Sequence, residues 1–216
     1  MAPRIVPPKI DFTPLSKWLD FCDAKHVKEC TVSRRVRLPG FKVIDCHTNQ
    51  IVSQDAVDCR YVALSYVWGE PGASSDGDSM FPATIADSIT VCVALGFRYL
   101  WVDRYCINQG NAAEKHVQIH LMDRIYMQAE LTIFAAAGSG SDDGLPGVST
   151  MIRTPQQRLK IGDMELVEIL NSVDRVSMST WASRAWTYQE GSMSKRRLIF
   201  TDQEVVFLCS RMYCQE

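Results

Sequence analysis

A chain of 216 residues is long enough for one sizeable domain, and a hydrophobic fraction of 46% against 22% charged residues predicts a packed core. The formal net charge of -2 argues against bulk attraction to nucleic acid or anionic lipid. No apolar run has the length of a membrane span, and the opening MAPRIVPPKI lacks the apolar stretch of a secretion signal, so no nucleic-acid or membrane partner is expected and the expected compartment is cytoplasmic.

In chain order, the Pro-rich start to about Asp11 reads as irregular, and a helix is expected from Thr13, with Thr13 as its cap, Pro14 in its first turn and Leu15, Trp18, Leu19 and Cys22 at helical spacing. The basic cluster Arg34, Arg35 and Arg37 reads as a solvated face. Phe41 to Asp45 and Ile51 to Val52 flank the turn His47-Thr48-Asn49-Gln50, a β-hairpin pattern. YVALSYV, Tyr61 to Val67, is the next strand, followed by a Gly/Ser/Asp-dense loop from Glu70 to Met80 of the kind that is mobile and sits at strand ends where sites assemble.

A helix is expected from Pro82 to Leu95, stopped by Gly96. The stretch YLWVDRYCINQ then runs four bulky residues without polar alternation into Asp103, the pattern of a strand buried on both faces that delivers a polar group at its carboxyl end. Two readings of Asp103 stand: a turn cap, or a ligand-facing group at the edge where open parallel sheets collect their ligands. Asn111 and Glu114 open a third helix with a wide apolar stripe to Ala129, and LTIFAAA, Leu131 to Ala137, is a third buried strand. A hairpin over Arg158 to Ile169 turning at Gly162-Asp163, a helix over WASRAWTYQE capped by Ser179 or Thr180, and a closing hairpin of RLIF and VVFLC complete the pattern. The alternation of strand and helix argues for an α/β fold, a mainly parallel sheet flanked by helices with right-handed crossovers. An N-terminal helix-hairpin extension and extra β-hairpins are added to it.

The eight cysteines contain no C-x-x-C pair and several lie in apolar runs, so they read as buried small hydrophobes, and no metal site is expected. Cys106 alone is kept as a site residue, in a strand-end cluster with Asp103 and Gln109. Ser65, Trp68 and Gly69 end a second strand of the same sheet and can face the same crevice. Glu190, at the end of a helix that also carries Trp186 and Gln189, gains nothing from the helix dipole. It is either a salt-bridge partner of Arg184, Lys195 or Arg197, or a functional carboxylate. His116, His120 and Asp123 share a helix face without the glutamate or fourth ligand of a zinc enzyme, so a solvated face is the better reading. Cys46 and His47, adjacent on a strand, point to opposite faces and cannot pair as nucleophile and base. The phosphate-loop, dinucleotide and serine-hydrolase motifs do not occur.

YVALSYVWG (61–69), LGFRYLWVDRYCINQ (95–109), DRIYMQA before LTIFAAA, GLPGV (144–148) and WASRAWTYQE (181–190) resemble, in order, the successive blocks of the fungal heterokaryon-incompatibility (HET) domain, over roughly residues 41–210. Val67 stands where the family often has Cys. The resemblance implies an N-terminal helical extension over 1–40 and a HET domain over 41–216. It also implies a role in self/non-self recognition after cell fusion, with an incompatibility partner protein, in which the domain triggers programmed cell death. The HET domain is in turn similar to Toll/interleukin-1-receptor (TIR) domains, which implies a TIR/flavodoxin-like core at about 60–210. LSYVWG, YLWVD and LTIFAAA look like the first three TIR strands, and SRAWTYQE like the helix whose Glu hydrolyses NAD+ in several members. That resemblance makes Glu190 the catalytic candidate and implies self-association. Ser65, Trp68, Gly69, Asp103, Cys106, Gln109, Trp186 and Gln189 become substrate-binding candidates. NAD+ or a related nucleotide is then the substrate, with no further cofactor. The alternative is a non-catalytic signalling and oligomerisation module.

Overall fold

The structure is a computed structural model and describes residues 5–32, 35–69, 80–169 and 171–216. Arg34 and the loop expected to be mobile, 70–79, lie outside the described residues. The chain begins with α1 (Phe12–Lys25) and the short α2 (Val27–Cys30), and continues into the hairpin β1 (Lys42–Asp45) and β2 (Gln50–Ser53). Asp11, one residue ahead of the helix, caps α1 in place of the expected Thr13: its Oδ1 accepts from the Thr13 amide at 2.9 Å, which leaves Pro14 inside the first turn. β3 (Tyr61–Ser65), α3 (Ala83–Ala94), β4 (Tyr99–Trp101), the one-turn α4 (Asp103–Cys106), α5 (Ala112–His120), α6 (Met122–Gln128) and β5 (Leu131–Ala135) follow. The third helix expected from the apolar stripe is thus two helices, broken at Leu121, where ψ is near 1°.

The hairpin β6 (Arg158–Ile161) and β7 (Met164–Val167) forms a separate two-stranded sheet, and α7 (Ser172–Ser177), α8 (Ala185–Met193), β8 (Arg196–Phe200), β9 (Val205–Cys209) and β10 (Tyr213–Gln215) close the chain. Among the described residues the main sheet has eight strands, in the order β10-β9-β8-β5-β3-β4-β1-β2. Its middle is parallel: β3 pairs with both β4 and β5, and β5 with β8. The outer pairings, β1 with β2 and β4 on one side and β9 with β8 and β10 on the other, are antiparallel. The sheet is therefore mixed rather than mainly parallel. Crossover helices join the parallel strands β3, β4, β5 and β8, whereas the short β1–β2, β8–β9 and β9–β10 connections can only form hairpins, and the first hairpin docks antiparallel to β4 across a long separation in sequence.

All five residues of β3 and all five of β5 are buried, as expected of strands covered on both faces. Leu64 and Ile133, neighbours in register, are fully inaccessible; truncating either to Ala costs about 2–5 kcal/mol. The basic cluster is not simply a solvated face. Arg35 is half-buried against the Cys59 carbonyl and the Glu130 carboxylate, while Arg37 reaches out to Asp55 at 2.9 Å. GLPGV folds over α3: Gly144, at φ 91°, leaves the Asp87 carboxylate room to accept from the Leu145 amide at 2.7 Å, and an added Cβ would lie 2.8 Å from that carboxylate. Among the described residues no helix is long and apolar enough to cross a membrane.

Candidate active site

Parallel pairing of β3 with β4 brings their carboxyl ends together, so the residues that follow each strand meet. Trp68 donates its indole N–H to the Asp103 carboxylate, at 2.9 Å to Oδ2 and 3.1 Å to Oδ1. Asp103 opens α4, and its Oδ1 also accepts from the Arg104 amide at 2.7 Å. The Arg104 guanidinium lies over the Trp68 ring, 5.8 Å from its centroid. Gly69 turns the chain away from β3 at φ 79° and passes so close to Gly140 that a Cβ would sit 3.1 Å from the Gly140 Cα. Both readings of Asp103 thus meet in one residue, which bonds to the first turn of α4 and also faces a cavity.

That cavity, about 290 Å³, is lined by Trp68, Asp103, Ile107, Gln109, Lys115, Ile119, Met122, Arg184, Trp186 and Glu190. α8 supplies its far wall. The helix starts later than expected, at Ala185, and runs through Gly191 to a stop at Ser194, whose hydroxyl donates to the Glu190 carbonyl at 2.7 Å. Glu190 is consequently inside the helix and not at its end. No ion pair with Arg184, Lys195 or Arg197 holds it; its buried carboxylate accepts from the Ser65 hydroxyl at the end of β3. Ser65 in turn accepts from Trp181 Nε1 at 2.7 Å, so a buried relay runs from the indole through the hydroxyl to the carboxylate.

Electrostatics in the site follow from this burial. Desolvation raises the Glu190 pKa above the usual carboxylate value, opposed by the hydrogen bond from Ser65, the positive charge of Arg184 and the nearby Tyr126 hydroxyl, which itself donates to the Leu64 carbonyl at 3.2 Å. Asp103 is pushed up to about 6, first by desolvation; the Arg104 amide pulls it down, the negative charge of Glu190 pushes it up, and Trp68 and Arg184 pull it down. Arg184, at the N-cap position of α8 with its guanidinium bonded to the Tyr66 carbonyl, is the cation shared by both carboxylates. The site therefore combines two carboxylates of raised pKa, two half-exposed indoles, Trp68 and Trp186, and two cations, Arg184 and Lys115. Such a set has the chemistry to attract a cationic aromatic ring to the indoles and carboxylates, and an anionic group to the cations.

Of the residues chosen from sequence, Trp68, Asp103, Gln109, Trp186 and Glu190 line the cavity, Ser65 supports it from behind and Gly69 shapes the exit from β3. Gln109 also donates to the Asp103 carbonyl at 3.4 Å. Cys106 does not join them: its sulfur faces back into the sheet, accepting from the Val102 amide at 3.3 Å, and burial pushes its thiol up to about 12, which leaves it inert. Gln189 is half-buried and lies outside the cavity lining. Trp181, Tyr126 and Lys115 escape the sequence reading. Trp181 stands in the quoted WASRAW block, where its five-residue distance from Trp186 was the available signal; Lys115 and Tyr126 lie on the two helices that meet at Leu121. A second cavity of about 350 Å³ lies on the far side of Trp181, against Phe134, Ile199, Val206 and Leu208; among the described residues that line it Arg197 alone is charged, so it offers packing and little chemistry.

The model of the heterokaryon incompatibility protein (HET) family matches residues 61–190, and the chain belongs to that family. It is similar to "Heterokaryon incompatibility protein 6, OR allele" of Neurospora crassa, at 29% identity over 165 residues. The aligned region covers 62% of this chain and 24% of the relative, so the chain spans about a quarter of the length of the curated relative it matches. No solved structure matches. The matched span begins with β3 and ends on Glu190, and so contains every residue lining the cavity.

Proposed function

We propose that this chain is a cell-death effector domain of fungal heterokaryon (vegetative) incompatibility that cleaves NAD+ at the bond between ribose and nicotinamide and is activated by self-association. The observation that carries this reading is the buried Glu190 on the wall of a cavity flanked by Trp68 and Trp186. The strand order of the parallel core supports a TIR-like relationship. Numbered by themselves in chain order, its four strands run 2-1-3-4, the start of the flavodoxin-like order, in which ligands bind at the carboxyl ends.

The chemistry suits the site. Nicotinamide leaves NAD+ as a neutral molecule, so its departure needs no proton, and one carboxylate suffices where ordinary glycosidases use two. Glu190 stabilises the positive charge that grows on the ribose, water takes the place of nicotinamide at the anomeric carbon, and one proton is released. Asp103, held by Trp68, positions the ribose, and Arg184 and Lys115 face the pyrophosphate. Incubating the protein with NAD+ over a range of concentrations and following nicotinamide tests this. Release that rises more steeply than protein concentration is expected.

The exposed apolar residues of α8 and of the β6–β7 hairpin, Trp186, Tyr188, Leu159, Met164 and Leu166, favour a second reading, a non-catalytic module that self-associates and recruits an incompatibility partner. Self-association without nicotinamide release at any concentration selects it.

A further inference from the structure

Outside the family-matched span, the N-terminal helices and the end of β9 bring Cys22, His26, Cys30 and Cys209 together, with the three sulfurs and an imidazole nitrogen all within 4.8 Å of one another. We propose that these four residues form a structural zinc site of the Cys3His type, which clips the N-terminal extension to the sheet.

The local backbone explains how the set assembles. Cys22 and His26 are one turn apart at the end of α1, where the His26 amide bonds to the Cys22 carbonyl at 2.9 Å. His26 is also the joint at which α2 begins, and the Cys30 amide bonds back to its carbonyl at 2.8 Å, so three ligands recur at intervals of one turn around a single bend. Cys209 comes from the opposite end of the chain and meets the imidazole with its sulfur 3.5 Å from Nδ1. The ring is held by edge-on contact with Phe21, their centroids 5.6 Å apart.

Ordinary packing does not account for the cluster. Three cysteines and an imidazole converge where apolar groups would fill the space at no polar cost, and a disulfide could use only two of the sulfurs. The buried guanidinium of Arg196, which bonds to Asp23 at 2.5 Å, lies against Cys22 while its Nε–H has no hydrogen-bond partner among the described residues. Three thiolates, one neutral imidazole and Zn2+ leave one net negative charge beside this cation, which also pairs with Asp23 and, at 3.5 Å, with Glu130, and a thiolate supplies the missing acceptor. Thiolate and imidazole donors in a set of four select zinc, and a filled tetrahedron has no open position for substrate, so the site is structural and not catalytic. Its effect is to close a chain segment of nearly full length, tying the first two helices to β9.

The whole chain, purified under reducing conditions without chelator or a histidine tag, is expected to carry about one equivalent of zinc by elemental analysis. Cobalt added to metal-depleted protein is expected to give a thiolate charge-transfer band that zinc abolishes. Cys30→Ser and Cys209→Ser should each lose the metal, and Cys59→Ser, buried elsewhere, should keep it. Stripping the metal should lower the melting temperature by about 5 °C or more. Wild-type protein that is free of zinc and binds neither zinc nor cobalt overturns the proposal, as does zinc retained by both ligand variants or a disulfide joining two of the cluster's cysteines. Because the cobalt band is read on the unaltered chain, poor folding of a variant does not decide the matter.

Discussion

Ser65 accepts a 2.7 Å hydrogen bond from Trp181 Nε1 and donates its own hydroxyl hydrogen to Glu190, which makes the last residue of β3 the joint between the sheet and α8. Replacing Ser65 with Ala orphans the indole donor and removes one of the groups that favour the Glu190 carboxylate. A loss of about 1–3 kcal/mol in urea unfolding is expected. The Glu190 pKa should rise further, because the hydrogen bond from Ser65 is a lowering influence on it. Carbon NMR of labelled glutamate in both proteins reads that shift directly.

Asp103 makes stability depend on pH in a stated direction. Its folded pKa of about 6 lies above the ordinary 3.8, so between those values the folded protein holds a proton that the unfolded chain has released. The contribution is favourable below that window and is lost as pH rises through it. Unfolding midpoints measured at pH 4 and pH 7 should therefore fall with rising pH in the wild type by more than in Asp103→Asn. An equal slope in the two proteins would assign the dependence to other groups, such as Glu190, whose pKa is also raised.

Two glycines with the same backbone angle separate strain from crowding. Gly69 and Gly96 both have φ 79°, yet a Cβ at Gly69 would lie 3.1 Å from Gly140 and one at Gly96 would meet nothing within 4 Å. Gly96→Ala should cost about 1 kcal/mol from the left-handed backbone alone. Gly69→Ala should cost more, about 2–3 kcal/mol, and should disturb the position of Trp68 beside it. Thermal melts and the quenching of tryptophan fluorescence check both.

Strong local signals made much of this legible in the sequence. Continuous apolar runs marked β3, β4 and β5, and their alternation with α3 and α5 implied the parallel middle of the sheet; once β3 and β4 are adjacent, Trp68 and Asp103 must be neighbours. The antiparallel pairings of β1 with β4 and of β9 with β10 were less visible, because which edge a hairpin joins depends on the whole sheet. α7 and β10 are too short and too polar to carry a period. Glu190 stood out as a carboxylate at an unfavourable place, but its real hydrogen-bond partner is Ser65, far away in sequence, which no local pattern encodes. The convergence of Cys22, His26 and Cys30 with Cys209 was hidden for the same reason.

Glu190→Gln separates the catalytic reading from the structural one. The substitution preserves size, and its carbonyl oxygen can still accept from Ser65, so the relay to Trp181 survives. It removes the negative charge. Burial already disfavours that charge, and the neutral amide relieves the desolvation; stability should therefore change by no more than about 1 kcal/mol, and the Asp103 pKa should fall because Glu190 no longer raises it. A carboxylate that stabilises a developing cation is worth about 3–4 kcal/mol at comparable preorganised sites, so nicotinamide release should drop a few hundredfold or more. Killing of host cells should be lost with it. The wild type and the variant are to be matched for melting temperature and self-association, then compared for nicotinamide release and toxicity. A variant that melts normally, associates normally and still kills would assign Glu190 to holding α8 against the sheet, and the signalling function to the surface that α8 presents.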